Sequence, residues 1–437
     1  MARRQPIEIA KTLKHLLPKR RITALAKEVG ATQRERKVGS AAFVLSLILG
    51  FGVGNLRTLA SLRRAFEHAT GTTVVPSSFY DRFSPRLAKL LKALLDDVIG
   101  RVGKSDGKMR GVLAQFKDVL LSDSTIIRLH DLLQRSYPAC RTNHTLAAIK
   151  AHIVMSVRGI GHARLKLTSE RVHDGPVLRA GTWVKDRLLL FDKGYYRFQL
   201  FACIHSQGGF FITKLKDKAN PMITGQHRVW RGASVPVVGQ RLQAVLGRLQ
   251  REVIDLQVDL RFHKRAYNGK RSGASFPCRL VGIKNQETGA YWLYVTNIPP
   301  TKLDALDIGR TYSARWLVEL FFRELKTSYR LDQMPSSKRH IVEALIYAAL
   351  LTMVASRVLL EHFRSLMAVD RRQRIPEERW AGLFATKASD ILAILVRPPR
   401  DADVLERYLV PFLVAEAVDP NVARYRLLGR VEAGHAD

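Results

Sequence analysis

The segment "DVLLSDSTIIRLH" (residues 118–130) marks a change in the hydrophobic periodicity of the sequence. Before it, apolar residues recur at helical spacing; within it they follow the period of two that is typical of a strand. Asp123 follows the apolar run "VLLS", and we place it at the end of this first predicted strand. A carboxylate at the end of a buried strand is costly unless a cation or hydrogen bonds hold it.

Three more strands are predicted after the first one. "KAHIVMSVRG" (150–159) and "HARLKLTSE" (162–170) are joined by a glycine hairpin at 159–161, and "RLLLFDKGYY" (187–196) is the fourth strand. Between the third and fourth strands, "HDGPVLRAGTWVK" (173–185) is predicted as a short helix. Three sequential strands, a helix and a strand are the core order of an RNase H-like fold, in the α/β (α+β) class.

The composition indicates a polyanionic partner. The chain has 437 residues, enough for two or three domains with a sizeable core. Its 72 Lys and Arg exceed its 38 Asp and Glu, giving a formal charge of +34, which favours nucleic acid as partner, with a membrane surface as the alternative. The apolar runs 41–54 and 344–356 are shorter than the roughly 20 residues of a membrane-spanning helix. We therefore interpret both runs as buried core helices.

The stretch "RTYSARWLVELFFRELKTSYRLDQM" (310–334) is predicted as one amphipathic helix. Its polar stripe contains Tyr312, Arg315, Glu319, Arg323 and Lys326. A solvated stripe usually mixes Glu and Lys, whereas here a single carboxylate lies among three cations and a phenol. Glu319 and Arg323 also have the spacing of an ordinary surface pair, so the stripe alone does not establish a site.

Two further carboxylates lie where this helix can meet them. Asp192 follows the apolar run "LLLF" of the fourth strand, and in an RNase H-like sheet it lies beside Asp123 at the middle of the sheet. Either aspartate alone is more often a turn former. Together with Glu319 on a helix facing the sheet, they form a set of hard oxygen ligands that suits Mg²⁺ and phosphoryl transfer.

With these residues the sequence resembles the DDE transposases of insertion sequences, specifically the insertion-sequence-four family. That family's signature is Tyr, two residues, Arg, three residues, Glu, six residues, Lys, and it is matched by Tyr312, Arg315, Glu319 and Lys326. "SDST" (122–125) resembles the first Asp segment, "FDKGYY" (191–196) the second, and "YWLYVTNIPP" (291–300) the end of a β insertion. The resemblance covers roughly residues 115 to 360.

The resemblance implies catalytic and metal-ligand roles for Asp123, Asp192 and Glu319, and DNA contacts for Tyr312, Arg315, Arg323, Lys326 and Trp292. The carboxylates would hold two Mg²⁺ ions, for which Mn²⁺ could substitute. The cations and the Tyr312 hydroxyl would contact phosphates near the scissile bond. Trp292 would stack on a base flipped from a DNA hairpin, whereas an ordinary strand aromatic would pack into the sheet.

The resemblance and the periodicity together divide the chain into five parts. They are a helical DNA-binding domain (1–110), the first part of an RNase H-like catalytic domain (111–200), an inserted β-rich subdomain (201–299), the second part of the catalytic domain (300–365) and a C-terminal helical region (366–437). The short basic helices of the first part suit a helix-turn-helix module, and a generic helical bundle fits them equally well.

The function that the sequence predicts is cut-and-paste DNA transposition of an insertion sequence, with metal-dependent strand cleavage and transfer through a hairpin. The expected partners are double-stranded DNA, as inverted repeats and target, and a second copy of the chain in a DNA-bound homodimer. Separated cysteines and the lack of an apolar signal segment favour a reducing, intracellular compartment. The resemblance implies the bacterial cytoplasm, in association with the nucleoid. The alternatives are a non-catalytic DNA-binding regulator and an RNase H-like structure-specific nuclease.

Overall fold

The computed structural model describes residues 8–35, 37–53, 57–103, 109–140, 144–158, 163–228, 236–263, 273–367 and 374–419. In these residues nine strands form one sheet in the order β3-β2-β1-β4-β5-β9-β8-β7-β6. The strands are β1 Asp118–Leu129, β2 Ala147–Ser156, β3 Ala163–Ser169, β4 Arg187–Phe191, β5 Phe210–Lys214, β6 Met222–Gln226, β7 Val253–His263, β8 Gly273–Lys284 and β9 Tyr291–Thr296. The hairpin predicted at 159–161 lies outside the described residues.

The first four strands are arranged as predicted for an RNase H-like sheet. β1 pairs antiparallel with β2, and β2 pairs antiparallel with β3. On its other side β1 runs parallel to β4, which runs parallel to β5. From Leu188 to Phe191 every residue of β4 is buried, as a central parallel strand covered on both faces requires. The mixed α/β fold class is therefore confirmed.

The β-rich segment 201–299 extends this sheet and does not form a sheet of its own. β9 pairs antiparallel with β5, and β8, β7 and β6 follow as an antiparallel meander. The sequence did not predict this pairing, because the alternating pattern of a strand does not reveal which neighbour it pairs with. The residue boundaries of the five parts remain a prediction.

The predicted helix at 173–185 is not formed. The structure has turns there and a single 3₁₀ turn at Thr182–Val184. Gly175, Pro176 and Gly181 explain the difference, because glycine and proline are the two least favourable residues in a helix interior. This segment instead brings Asp174 behind β1, where it contacts Ser124.

The helices cover both faces of the sheet, and those at the two ends of the chain form one helical body. The helices are α1 Ile9–Leu16, α2 Lys19–Glu28, α3 Ser40–Ser46, α4 Leu59–Thr70, α5 Pro76–Tyr80, α6 Pro85–Val102, α7 Phe198–Ser206, α8 Leu242–Leu246, α9 Ala305–Ser313, α10 Trp316–Thr327, α11 Arg339–Leu366, α12 Glu377–Thr386, α13 Ala388–Val396 and α14 Pro399–Ala417. α6 packs along α11, while α1 and α4 contact α13. N-terminal and C-terminal helices thus share one hydrophobic core.

The helix α11 is the centre of this helical body. By length and composition it could cross a membrane, since an 18-residue window has a mean hydropathy of 1.7, but 78% of that window is buried inside the fold. The apolar runs 41–54 and 344–356 contribute many of the buried residues of this core, as predicted. In the first run, α3 continues into a π-helix at Leu47–Phe51.

The two faces of the sheet are covered by different cores. Val119 and Leu121 of β1 belong to the core shared with the helical body, whereas Leu120 belongs to the core formed with α7. Because side chains alternate along a strand, Asp123 shares the face of Leu121, and α10 packs against β1 on that face. Ser124 points to the opposite face.

Candidate active site

The two aspartates lie on neighbouring parallel strands. The β1–β4 pairing ends at Ser122 and Phe191, so Asp123 and Asp192 are the next residues on their strands and lie side by side, as predicted. Asp123 is not at the end of its strand, however. β1 continues to Leu129 because its pairing with β2 persists after β4 has ended.

The predicted helix over 310–334 is interrupted. α9 ends at Ser313 and α10 spans Trp316–Thr327, with 3₁₀-type bonds between them: the Ala314 N–H donates to the Thr311 carbonyl at 3.1 Å and the Arg315 N–H to that of Tyr312 at 3.0 Å. α9 lies on β8, β7 and β5, whereas α10 lies on β1, so one straight helix cannot follow both surfaces.

Arg315 bridges two of the three carboxylates. Its Nη2 lies 2.5 Å from Glu319 Oε1, and its Nη1 lies 3.4 Å from Asp123 Oδ2. Asp123, Asp192 and Glu319 line one cleft together with Arg315. No group of three or more His, Cys, Asp or Glu in the described ranges is arranged to hold a metal ion. At this cleft a guanidinium provides the positive charge between the carboxylates.

The electrostatics of Asp123 reflect the crowding of negative charge. Burial raises the pKa of Asp123 to about 6, and repulsion from Asp192 and Glu319 adds to this. The Ser124 N–H, which donates to Asp123 Oδ1 at 2.7 Å, and the charge of Arg315 oppose the rise. Three carboxylates within electrostatic reach of one another therefore need a cation among them.

The two remaining cations of the predicted stripe lie at the same cleft. Lys326 and Arg323 both line it with Phe322 and Thr327. Arg323 is also paired with Glu378 of α12, 3.1 Å away, and both side chains of that pair are exposed. Glu319 pairs with Arg315 and not with Arg323, so the surface-pair interpretation is not what the structure shows.

Tyr312 lies beside the cleft but is buried. Only 5% of it is exposed, and its ring packs on Tyr294 with centroids 5.3 Å apart. Its hydroxyl has no hydrogen-bond partner among the described residues, and burial raises the pKa of Tyr312. The interruption of the helix moves this residue off the polar stripe. The predicted phosphate contact through its hydroxyl therefore requires a local rearrangement.

Trp292 is half exposed on β9, with 49% of its surface accessible. It pairs across the sheet with Ile283 and shares a face with Tyr294, which packs on α9. Tyr291 lies on the opposite face, against the core of α7. The alternation of a strand thus places Trp292 and Tyr291 on opposite faces, and Trp292 is the large hydrophobic residue of β9 that stays accessible.

A cluster of polar residues lies behind Asp123, on the opposite face of β1. Ser124 Oγ donates to Asp174 Oδ1 at 2.8 Å, and Lys150 and His152 approach the same carboxylate. His152 is 5% exposed, and its Nε2 lies 2.9 Å from Thr168 Oγ1. The Asp174 segment was predicted as a helix, which is why its approach to β1 was not foreseen.

Comparisons with known proteins agree with this architecture. A family model described as "Transposase DDE domain" matches residues 114–355. The chain is 21% identical over 426 residues to the transposase for insertion sequence element IS231B of Bacillus thuringiensis subsp. berliner, covering 89% of this chain and 87% of the relative. It is 21% identical over 410 residues to the transposase for IS231D of Bacillus thuringiensis subsp. finitimus, covering 85% and 83%.

A chain in the cryo-EM structure of the piggyBac transposase synaptic complex with hairpin DNA aligns with a TM-score of 0.44 and 10% identity, covering 97% of this chain and 88% of that chain. That similarity is too low to support an inference. The family match, by contrast, spans more than half of the chain and includes Asp123, Asp192 and Glu319. Enzymes of this family are DNA transposases that use divalent metal ions, and this chain belongs to the DDE transposase family of insertion sequences.

Proposed function

We propose that this protein moves its insertion sequence by a cut-and-paste route, with Asp123, Asp192 and Glu319 as its catalytic residues. The observation that carries the proposal is that strands β1 and β4 and helix α10 bring these three carboxylates to one cleft. Arg315 and Lys326 line the same cleft, so anionic metal ligands and cationic phosphate contacts lie together. Placement of the protein in the insertion-sequence-four family rests on the Tyr-Arg-Glu-Lys signature.

As placed around Arg315 the three carboxylates do not form a ligand group for a metal, but their chemistry suits a divalent ion. Arg315 already places a cation between Asp123 and Glu319, and carboxylate oxygens are the ligands that Mg²⁺ and Mn²⁺ prefer. Two such ions, when bound, would activate the attacking oxygen and stabilise the leaving oxygen of the phosphodiester. On this proposal the guanidinium leaves the carboxylates and contacts a DNA phosphate when the site is loaded.

The cations of the cleft would hold the scissile phosphate. Arg315 and Lys326 can donate charge-assisted hydrogen bonds to its oxygens, which are roughly twice as strong as neutral ones. Arg323 would contact a neighbouring phosphate after leaving Glu378. The carboxylates alone would repel DNA, so these three positive charges make the cleft accessible to a phosphodiester.

We propose that the carboxylate site of the described residues serves every step, in the order that the family resemblance implies. Water would nick one strand and leave a 3′-hydroxyl, which would then attack the opposite strand to form a hairpin. A second water would open the hairpin, and the restored 3′-hydroxyl would attack target DNA. The accessible Trp292 supports the hairpin step, because an exposed indole can stack on a flipped base.

Two element ends must be processed together, so we propose a homodimer assembled on the terminal inverted repeats, acting in the cytoplasm on nucleoid DNA. The N-terminal helices would recognise the repeats. Family membership favours this function over that of a structure-specific nuclease. A non-catalytic regulator would have no use for the three carboxylates in the cleft.

An excision assay tests the proposal. Purified protein and its own element ends, in Mg²⁺, should give a nick, then a hairpin, then a double-strand break, and finally joining to a target plasmid. If the protein binds the element ends but never cleaves them, the result would support the alternative function of a non-catalytic regulator. Cleavage of any branched DNA, irrespective of end sequence, would support the nuclease.

A further inference from the structure

Behind the catalytic cleft, on the opposite face of the sheet, the carboxylate of Asp174 contacts both chain segments that carry the catalytic aspartates. Ser124 Oγ donates to Asp174 Oδ1 at 2.8 Å, while the Ser124 backbone N–H donates to Asp123 Oδ1 at 2.7 Å. One serine therefore connects the Asp174 carboxylate on one face of β1 with the Asp123 carboxylate on the other.

The second contact of Asp174 is with the turn that follows Asp192. A Cβ added at Gly194 would lie 3.3 Å from Asp174 Oδ2, so only glycine leaves the carboxylate its present place without a shift of the neighbouring atoms. The Arg197 guanidinium donates to the Gly175 carbonyl at 3.2 Å and holds the two segments together. The Asp174 segment is thus packed on the turn that positions Asp192.

Two basic side chains lie beside Asp174. Lys150 Nζ lies 3.5 Å and His152 Nδ1 lies 3.3 Å from Asp174 Oδ1. Burial by itself would raise the pKa of Asp174, but hydrogen bonds from His152 and Ser124 and the charge of Lys150 outweigh it and lower the pKa to about 2. The acceptor for Ser124 is therefore a full carboxylate at every pH at which the protein would act.

Tyr195, in the turn after Asp192, also lies close to these polar residues. It is 2% exposed, and its ring lies near Phe191 with centroids 6.5 Å apart. Ser122, Ser124 and Asp174 are among the polar groups near its hydroxyl, which has no hydrogen-bond partner in the described residues. The Asp192 turn therefore lies close to polar side chains of β1 on this face, in addition to following the β1–β4 ladder.

We infer that Asp174 is a positioning residue that sets the separation of the Asp123 and Asp192 carboxylates through Ser124 and the Gly194 turn. This inference rests on the proposed function, since it concerns how well those carboxylates hold a divalent ion. Groups that orient metal ligands without touching the metal typically contribute about 10- to 100-fold to metal affinity or activity. A residue that only neutralised Lys150 would contribute to folding and not to metal affinity.

The test measures Mn²⁺ binding to the DNA-free full-length protein by calorimetry, with melting temperature and end-DNA binding recorded for every variant. Asp174→Asn should weaken Mn²⁺ binding about tenfold. Ser124→Ala should weaken it in the same direction, although Ser124→Ala keeps the Asp174 charge. Lys150→Met is the matched control, because it removes one contact of Asp174 and leaves those to Ser124 and Gly194; its Mn²⁺ affinity should be that of the wild type.

Unchanged Mn²⁺ affinity in a folded Asp174→Asn protein would overturn the inference. So would an unaffected Ser124→Ala protein, which would mean that Asp174 acts by charge alone, or an equal loss in Lys150→Met, which would mean a purely structural role. If Asp174→Asn does not fold, the Ser124→Ala and Lys150→Met pair decides. If Asp123→Asn bound Mn²⁺ with the affinity of the wild type, the proposed function would be contradicted, and this inference with it.

Discussion

At the scale of single residues, Arg315 has two competing sets of partners: the carboxylates of the cleft and, on the proposed function, a DNA phosphate. Its guanidinium lies between Asp123 and Glu319, where their charges would otherwise repel each other. The same group is the proposed phosphate contact, so it cannot serve both partners at once. On the proposed function, loading of the site would therefore require the loss of two ion pairs.

Arg315→Gln should bind Mn²⁺ more tightly than the wild type when DNA is absent, because no guanidinium then competes for the carboxylates. Hydrogen bonds to charged groups contribute about 1.5 kcal/mol or more, which corresponds to roughly tenfold in affinity. Calorimetry measures this directly. Arg323→Gln is the control, since Arg323 pairs with Glu378, and it should leave the affinity unchanged. Equal affinities of Arg315→Gln and wild type would contradict the bridging role.

Trp292→Ala should separate nicking from hairpin formation. A stacked base contributes about 1–3 kcal/mol, enough to matter for a strained hairpin and too little to matter for end binding. The variant should nick the first strand normally, accumulate nicked DNA and give little hairpin on denaturing gels. Because Trp292 is half exposed, the variant should fold. A normal hairpin yield from the folded variant would reduce Trp292 to an ordinary strand residue.

At the scale of elements, the sequence predicted β1 and β4 and the adjacency of their aspartates, because apolar strands in a fixed order leave few arrangements. It did not predict the break between α9 and α10. Ala314 and Arg315 are good helix formers, and the hydrophobic period continues through them. The break follows from tertiary contacts: a Cβ at Gly309 would lie 2.4 Å from Ile283 Cδ1, so α9 is seated closely on β8 while α10 is seated on β1.

The position of α10, and thus of Glu319, depends on a buried ion pair with α11. Arg357 donates to Glu324, whose side chain is 5% exposed, and also approaches Glu377 of α12 at 3.8 Å. Removing one partner of a buried pair leaves an uncompensated charge, at a cost of about 3–5 kcal/mol. This pair is therefore a structural support of the site that the amphipathic pattern of α10 does not reveal.

Arg357→Met should lower the free energy of unfolding by about 3 kcal/mol, measured by urea denaturation with circular dichroism. Adding Glu324→Gln should restore much of the loss, because both charges are then gone. Glu378→Gln breaks the exposed Arg323–Glu378 pair and should change stability by less than about 0.5 kcal/mol. If Arg357→Met lowered the free energy of unfolding no more than Glu378→Gln does, the buried pair would not be a structural support of α10.

At the scale of the whole molecule, the formal charge of +34 means that many Lys and Arg side chains can contact DNA phosphates and contribute to the affinity. The charge balance can be counted in the sequence, and the helical periodicity predicted that the N-terminal and C-terminal regions are helical. The sequence did not predict that N-terminal and C-terminal helices share one core, since helical periodicity shows which face is buried and not against what. The proposed DNA-reading helices are thus attached to α11 and, through it, to α10.

The affinity of the protein for a DNA fragment that carries one element end should fall steeply with salt concentration. The slope of log affinity against log salt concentration should be about −0.9 for each phosphate contact. Lys326→Ala should reduce that slope by about 1. Lys387→Ala is the control, because Lys387 lies next to α13 and pairs with Asp390 at 3.7 Å. Fluorescence anisotropy on one end fragment measures both slopes. An unchanged slope in Lys326→Ala would remove this residue from the DNA contacts.

The most direct test of the central claim compares cleavage with binding in Asp123→Asn, Asp192→Asn and Glu319→Gln. Affinity comes mainly from Lys and Arg, so each variant should bind an end fragment within about twofold of the wild type. Each should lose Mg²⁺-dependent nicking of that fragment in complexes assembled before the metal is added. Wild-type nicking by any one of the three folded variants would contradict the assignment of these carboxylates as the catalytic residues.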